Sequence, residues 1–85
     1  MEIIGSVVRS IQGRDRYRVF AVIGTDGENV TLADGRLHTL ASPKRKNLRH
    51  VKVIGHLTEA ETERLRESFT DETVREIIMS YDKRK

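Results

Sequence analysis

The chain contains no cysteine and no tryptophan, a single proline (Pro43), and only four aromatic residues, Tyr17, Phe20, Phe69 and Tyr81. Without cysteine there are no disulfides and no cysteine-ligated zinc or iron–sulfur centres, which is compatible with the cytoplasm. No stretch approaches the ~20 consecutive apolar residues that a membrane-spanning helix requires. The first residues, Met1-Glu2-Ile3-Ile4-Gly5, lack the basic region and long apolar segment of a signal peptide. These absences predict a soluble, cytoplasmic protein. With 85 residues it is one small domain with one modest core.

What the chain has in abundance is charge, and the charge is unevenly placed. Sixteen Lys and Arg face thirteen Asp and Glu, a net charge of +3. Residues 1–57 carry ten basic and five acidic side chains, and residues 58–85 carry six and eight, so a basic front joins a weakly acidic back. The densest cluster is Ser42-Pro43-Lys44-Arg45-Lys46-Asn47-Leu48-Arg49-His50, with four basic residues in six positions. Such a density must sit in water or meet a polyanion.

The front reads as β structure. Ile4 to Ile11 is rich in Val and Ile and closes at Gly13. Tyr17 to Ile23 holds the apolar run Val19-Phe20-Ala21-Val22-Ile23, which suggests a strand covered on both faces. Asp26-Gly27 and Asp34-Gly35 signal tight turns, bracketing a strand at Asn29 to Ala33 and predicting another at Arg36 to Leu40. His50 to Gly55 makes a fifth. Five short strands predict a small barrel that closes its own edges, with Lys44 to His50 as the loop before the last strand.

The back switches to helical period. Thr58-Glu59-Ala60-Glu61 matches a capping box opening a helix from about Glu59 to Ser68. Thr70 is a second N-cap, followed by Asp71 and Glu72, where the helix dipole favours negative charge. Phe69 and Val74 have the spacing of a hydrophobic staple. Val74, Ile77, Ile78 and Tyr81 fall on one apolar stripe. That stripe either covers the barrel or docks on a partner protein or a second copy. The basic tail Lys83-Arg84-Lys85 is expected to fray.

Catalysis has little support. His38, His50 and His56 lack the helical spacing of a zinc pair, and no P-loop is present. Asp26, Glu28 and Asp34 suit turns better than a paired acid and base. The expectation is a non-enzymatic protein without cofactor or metal.

Nucleic acid is the better target. Arg14, Arg16 and Arg18 alternate at a strand start and can project on one side. Lys44, Arg45, Lys46 and Arg49 form a second cluster, which Arg9, Arg36 and Lys52 can extend, while Asn47 and His50 can add hydrogen bonds to sugar or base edges. Arginine forks two hydrogen bonds to a phosphate and lysine supplies a mobile point charge. The basic part lacks a helix-turn-helix or zinc finger, so loops on a small barrel suit RNA better than a DNA major groove.

Gly5-Ser6-Val7-Val8-Arg9-Ser10-Ile11-Gln12-Gly13-Arg14-Asp15, then Val19 to Ile23, then Val30-Thr31-Leu32-Ala33-Asp34-Gly35, resembles a KOW motif. The later Lys44-Arg45-Lys46-Asn47-Leu48-Arg49-His50-Val51 is similar to the basic segment closing the KOW domain of archaeal and eukaryotic large-subunit ribosomal proteins and their small bacterial relatives. The resemblance spans about residues 3–55. It implies a five-stranded SH3-like barrel, here residues 1–57, that binds ribosomal RNA or the ribosome; the helical extension over residues 58–85, read from its own period, is expected to pack on that barrel. Gly13 matches the family glycine that turns the chain between the first two strands. Where the family has a second glycine this sequence has Tyr17, a bulky residue that resists positive φ but can stack on a base. The RNA-binding set is therefore Arg14, Arg16, Tyr17, Arg18, Lys44, Arg45, Lys46, Asn47, Arg49 and His50. The competing expectation is a protein-interaction module of a transcription or translation complex, docking through Val74, Ile77, Ile78 and Tyr81.

Overall fold

The computed structural model describes residues 3–83, with side chains through Tyr81. The chain is mainly β with two helices at its C-terminal end. Its elements are β1 (Ser6–Ser10), β2 (Val19–Asp26), β3 (Asn29–Ala33), β4 (Lys44–Asn47), a single 3-10 turn (Leu48–His50), β5 (Val51–His56), α1 (Glu59–Glu67) and α2 (Asp71–Lys83). The strands form one antiparallel sheet in the order β4-β3-β2-β1-β5. The sheet is not closed. Its two edge strands are joined covalently through the 3-10 turn rather than by a ladder of hydrogen bonds.

The apolar run of β2 explains the layering. Phe20 and Val22 join Val8, Val30, Leu32 and Val51 in a core inside the curl of the sheet. Val19, Ala21 and Ile23 alternate to the other face, where Ala21 and Ala33 pack against Val74 and Ile78 of α2. The second face of β2 is thus covered by a helix, not by further curling of the sheet. Val74 and Ile77 are almost fully buried, and Ile78 is buried too, so this part of the stripe is spent inside the molecule. Tyr81 ends it by lying over β5. Its hydroxyl donates to the Ile54 carbonyl at 2.5 Å, and its ring occupies the space a Cβ at Gly55 would need.

The helix starts follow their local signals. The Thr58 hydroxyl accepts from the Glu61 amide while the Glu61 carboxylate accepts from the Thr58 amide, completing the capping box. The Thr70 hydroxyl accepts from the Thr73 amide at the start of α2. Phe69 remains largely exposed instead of closing a staple over buried Val74. Of the tail expected to fray, Lys83 is the last residue of α2, and Arg84 and Lys85 lie outside the described residues. Among the described residues no helix is long and apolar enough to cross a membrane.

One strand differs from expectation. Residues 36–40 are not a strand, because Asp34 folds them into a compact turn. Its carboxylate accepts from the Arg36 and His38 amides at 2.9 and 3.1 Å, and the Asp34 and Gly35 amides both donate to the His38 carbonyl. The Leu40 amide then donates to Asp71 at the start of α2, leaving no amide row for a ladder there. Gly35 sits at φ +75° against the Asp71 carbonyl, a place with no room for a side chain. The fourth strand is instead the basic segment itself. Lys44 pairs with Leu32, Arg45 with Thr31, Lys46 with Val30 and Asn47 with Asn29. A charged edge strand resists pairing with other chains.

Candidate nucleic-acid interface

Because Lys44 to Asn47 is a strand, its side chains alternate between two faces instead of fanning from a loop. Lys44 and Lys46 share the face of buried Leu32 and Val30, and Arg45 lies on the opposite face with Thr31. Lys46 turns inward. Its Nζ is 2.8 Å from Asp15 Oδ1, and both side chains are about nine-tenths buried, at 10% and 8% exposure. The Ser10 hydroxyl donates to the same oxygen at 2.8 Å, while Asp15 Oδ2 is buried without a hydrogen-bond partner. Burial pushes the Asp15 carboxyl up. Hydrogen bonds from Lys46 and Ser10 and the nearby Lys44 charge outweigh it, so Asp15 lies below its ordinary value of 3.8. Lys46 is therefore a fastener within the fold.

That ion pair joins two segments 31 residues apart. It holds the β1–β2 loop against β4, and the Ile11 amide adds a second tie by donating to the His50 carbonyl at 2.9 Å. The two basic clusters thereby share one rim. Arg14, Arg16, Arg18 and Arg49 are exposed, and none makes an ion pair among the described residues. Lys44 is half-buried beside them and equally without a pair. Arg45 is exposed and pairs with exposed Asp26, a contact worth well under ~1 kcal/mol in water. The Asn47 side-chain oxygen accepts from the Arg49 amide and caps the 3-10 turn, which leaves its NH2 group for other partners. His50 is half-buried. Arg9 and Lys52 face one another across β1 and β5.

The β1–β2 loop is not the strand start that alternation would need. Its turns close through Arg16 N–H to Gly13 O at 3.2 Å and Arg18 N–H to Asp15 O at 3.0 Å. Arg14 and Arg16 ride on these turns, whereas Arg18 leads into β2. Tyr17 takes the conformation expected of the missing glycine. Its φ is +77°, unmatched by any other non-glycine among the described residues. The Tyr17 amide donates to Ser10 O while the Ser10 amide donates to Arg18 O, so two residues oppose one in a bulge whose first position is normally glycine. The backbone tolerates this at a cost of about 1 kcal/mol or more. The side chain gains little from the fold in return, being 72% exposed.

Tyr17 and Arg18 border a cleft of about 320 Å³. Its other walls are Asp34 and Arg36 from the turn after β3 and Arg75 and Met79 from α2. Sequence reasoning did not include Arg75 or Met79, because nothing local ties a residue of α2 to a loop near residue 17. Asp15 was also missed, although a lone acid between Arg14 and Arg16 is a visible sign of an internal partner. No group of acidic and histidine side chains suited to a metal ion occurs among the described residues. Comparison with protein-family models and with curated proteins yields no match, so the reading of this rim rests on its own chemistry.

Proposed function

We propose that this chain is a non-catalytic RNA-binding protein whose ligand docks on the rim formed by the β1–β2 loop, β4 and the 3-10 turn. The observation that carries the reading is the set of exposed arginines without carboxylate partners among the described residues, Arg14, Arg16, Arg18 and Arg49, on segments fastened together by the buried Asp15–Lys46 pair. Unneutralised guanidiniums held at a rigid edge suit phosphate oxygens, which they bind in pairs. Arg45 and Lys44 extend the rim, while Lys46 supports it from within. The sequence resemblance to KOW domains makes ribosomal RNA the first ligand to test. Docking on a protein through the α2 stripe would require α2 to leave the sheet that buries it.

A salt titration of RNA binding tests the reading. Affinity should fall steeply with salt, and the triple variant Arg14→Gln, Arg16→Gln, Arg49→Gln should flatten the logarithmic slope by about two to three. Its melting temperature should stay close to wild type, because none of the three side chains has an ion-pair partner among the described residues. Wild-type affinity and slope in the folded triple variant would overturn the assignment.

A further inference from the structure

We propose that the cleft between Tyr17, the turn after β3 and α2 receives one unpaired nucleotide of the bound RNA. This rests on the RNA-binding reading and names a structural feature of the RNA. Three observations converge on it. An exposed aromatic ring is held in a left-handed backbone position that glycine would occupy without strain. Among the described residues, three arginines, Arg18, Arg36 and Arg75, border the same space against one carboxylate, Asp34. That carboxylate is committed through Oδ1 to the amides of its own turn.

The chemistry of the walls is complementary to a nucleotide. The Tyr17 ring presents a flat face to a base, and the Met79 thioether adds a polarizable apolar surface. Arg75 donates to the Gly35 carbonyl at 2.5 Å and retains further N–H groups, and Arg18 has no ion-pair partner among the described residues. The Arg36 guanidinium donates to the Met79 sulfur at 3.7 Å, a weak contact that a phosphate oxygen readily displaces. At about 320 Å³ the cleft is in the range of small-ligand sites and suits one nucleotide rather than a helix. A base within a duplex stack cannot enter it, whereas a bulged or terminal base can.

The test compares an RNA hairpin with a fully paired stem against the same stem carrying one bulged adenosine, by fluorescence anisotropy at a fixed salt concentration. Wild type should bind the bulged RNA roughly ten-fold more tightly, as expected for one stacked base. Tyr17→Gly should melt no lower than wild type and reduce that ratio to about one, separating loss of the ring from loss of the fold. Arg36→Gln should lower affinity for the bulged RNA more than for the paired one. Equal wild-type affinity for both RNAs, or an unchanged ratio in Tyr17→Gly, overturns the nucleotide site while the basic rim stands. Micromolar binding of adenosine monophosphate by itself would assign the cleft to a free nucleotide instead. If neither RNA binds, the rim reading fails and this inference fails with it.

Discussion

The helical layer and the basic rim are built on one sheet and treat their side chains in opposite ways. In the helical layer, Val74, Ile77 and Ile78 all reach apolar or buried surroundings, and Tyr81 reaches the backbone of β5. At the rim, among the described residues, only Lys46 is buried with a counter-charge, and Arg14, Arg16, Arg18 and Arg49 are left exposed without one. The difference separates what the fold needs from what it leaves available to a ligand. Side chains without internal partners lose little when the chain unfolds, so their placement reflects something outside the chain's own stability.

The largest test of that contrast is Ile77→Ala. Ile77 is 2% exposed, and truncating it should cost about 3 kcal/mol, read as a lower urea midpoint in a single cooperative transition. Separate melting of α2, with the sheet transition unmoved, would break the comparison by making the helical layer detachable.

Within the rim, Lys46→Ala and Arg49→Ala should diverge although the residues are neighbours in sequence. Lys46→Ala leaves Asp15 buried and should cost about 3 kcal/mol. Arg49→Ala should stay within ~0.5 kcal/mol of wild type. Acid sharpens the distinction. The folded Asp15 carboxyl lies below its ordinary value, so its contribution is complete above about pH 4 and lost as pH falls through the folded value. The stability gap between wild type and Lys46→Ala should therefore narrow below about pH 4. A gap that stays constant through acid would show that the loss comes from packing of the lysine stem.

Smallest is Arg45→Ala. Its pair with Asp26 is more than half exposed on both sides, and denaturation should register a change below ~0.5 kcal/mol. A larger loss would move Arg45 from the exposed rim to the scaffold.

Local chemistry made much of the fold legible in advance. The capping box at Thr58, the N-cap at Thr70, the β3 span Asn29–Ala33 and the two-sided burial of β2 all depend on residues close together in the chain. The fourth strand did not follow from such signals. Asp34-Gly35 has the composition of a hairpin turn, yet Asp34 closes a wider turn and α2 claims the Leu40 amide from 31 residues away. The basic segment was recognisable as a candidate surface, but not as a strand, since β pairing with Leu32 and Val30 outweighs its poor strand composition.

The sequence by itself determined the basic front, the amphipathic back, the helix starts and the membership of the two basic clusters. These depend on composition and on periods of two or 3.6 residues, which need no knowledge of distant contacts. Only the tertiary structure decided which of those charges is structural. The curl of the sheet brings Lys46 to Asp15 and buries both, and the docking of α2 sets Arg75 and Met79 across from Tyr17. Burial and pairing are properties of the whole fold, so two lysines two positions apart, alike in sequence, are separated into a buried fastener and a half-buried charge at the rim.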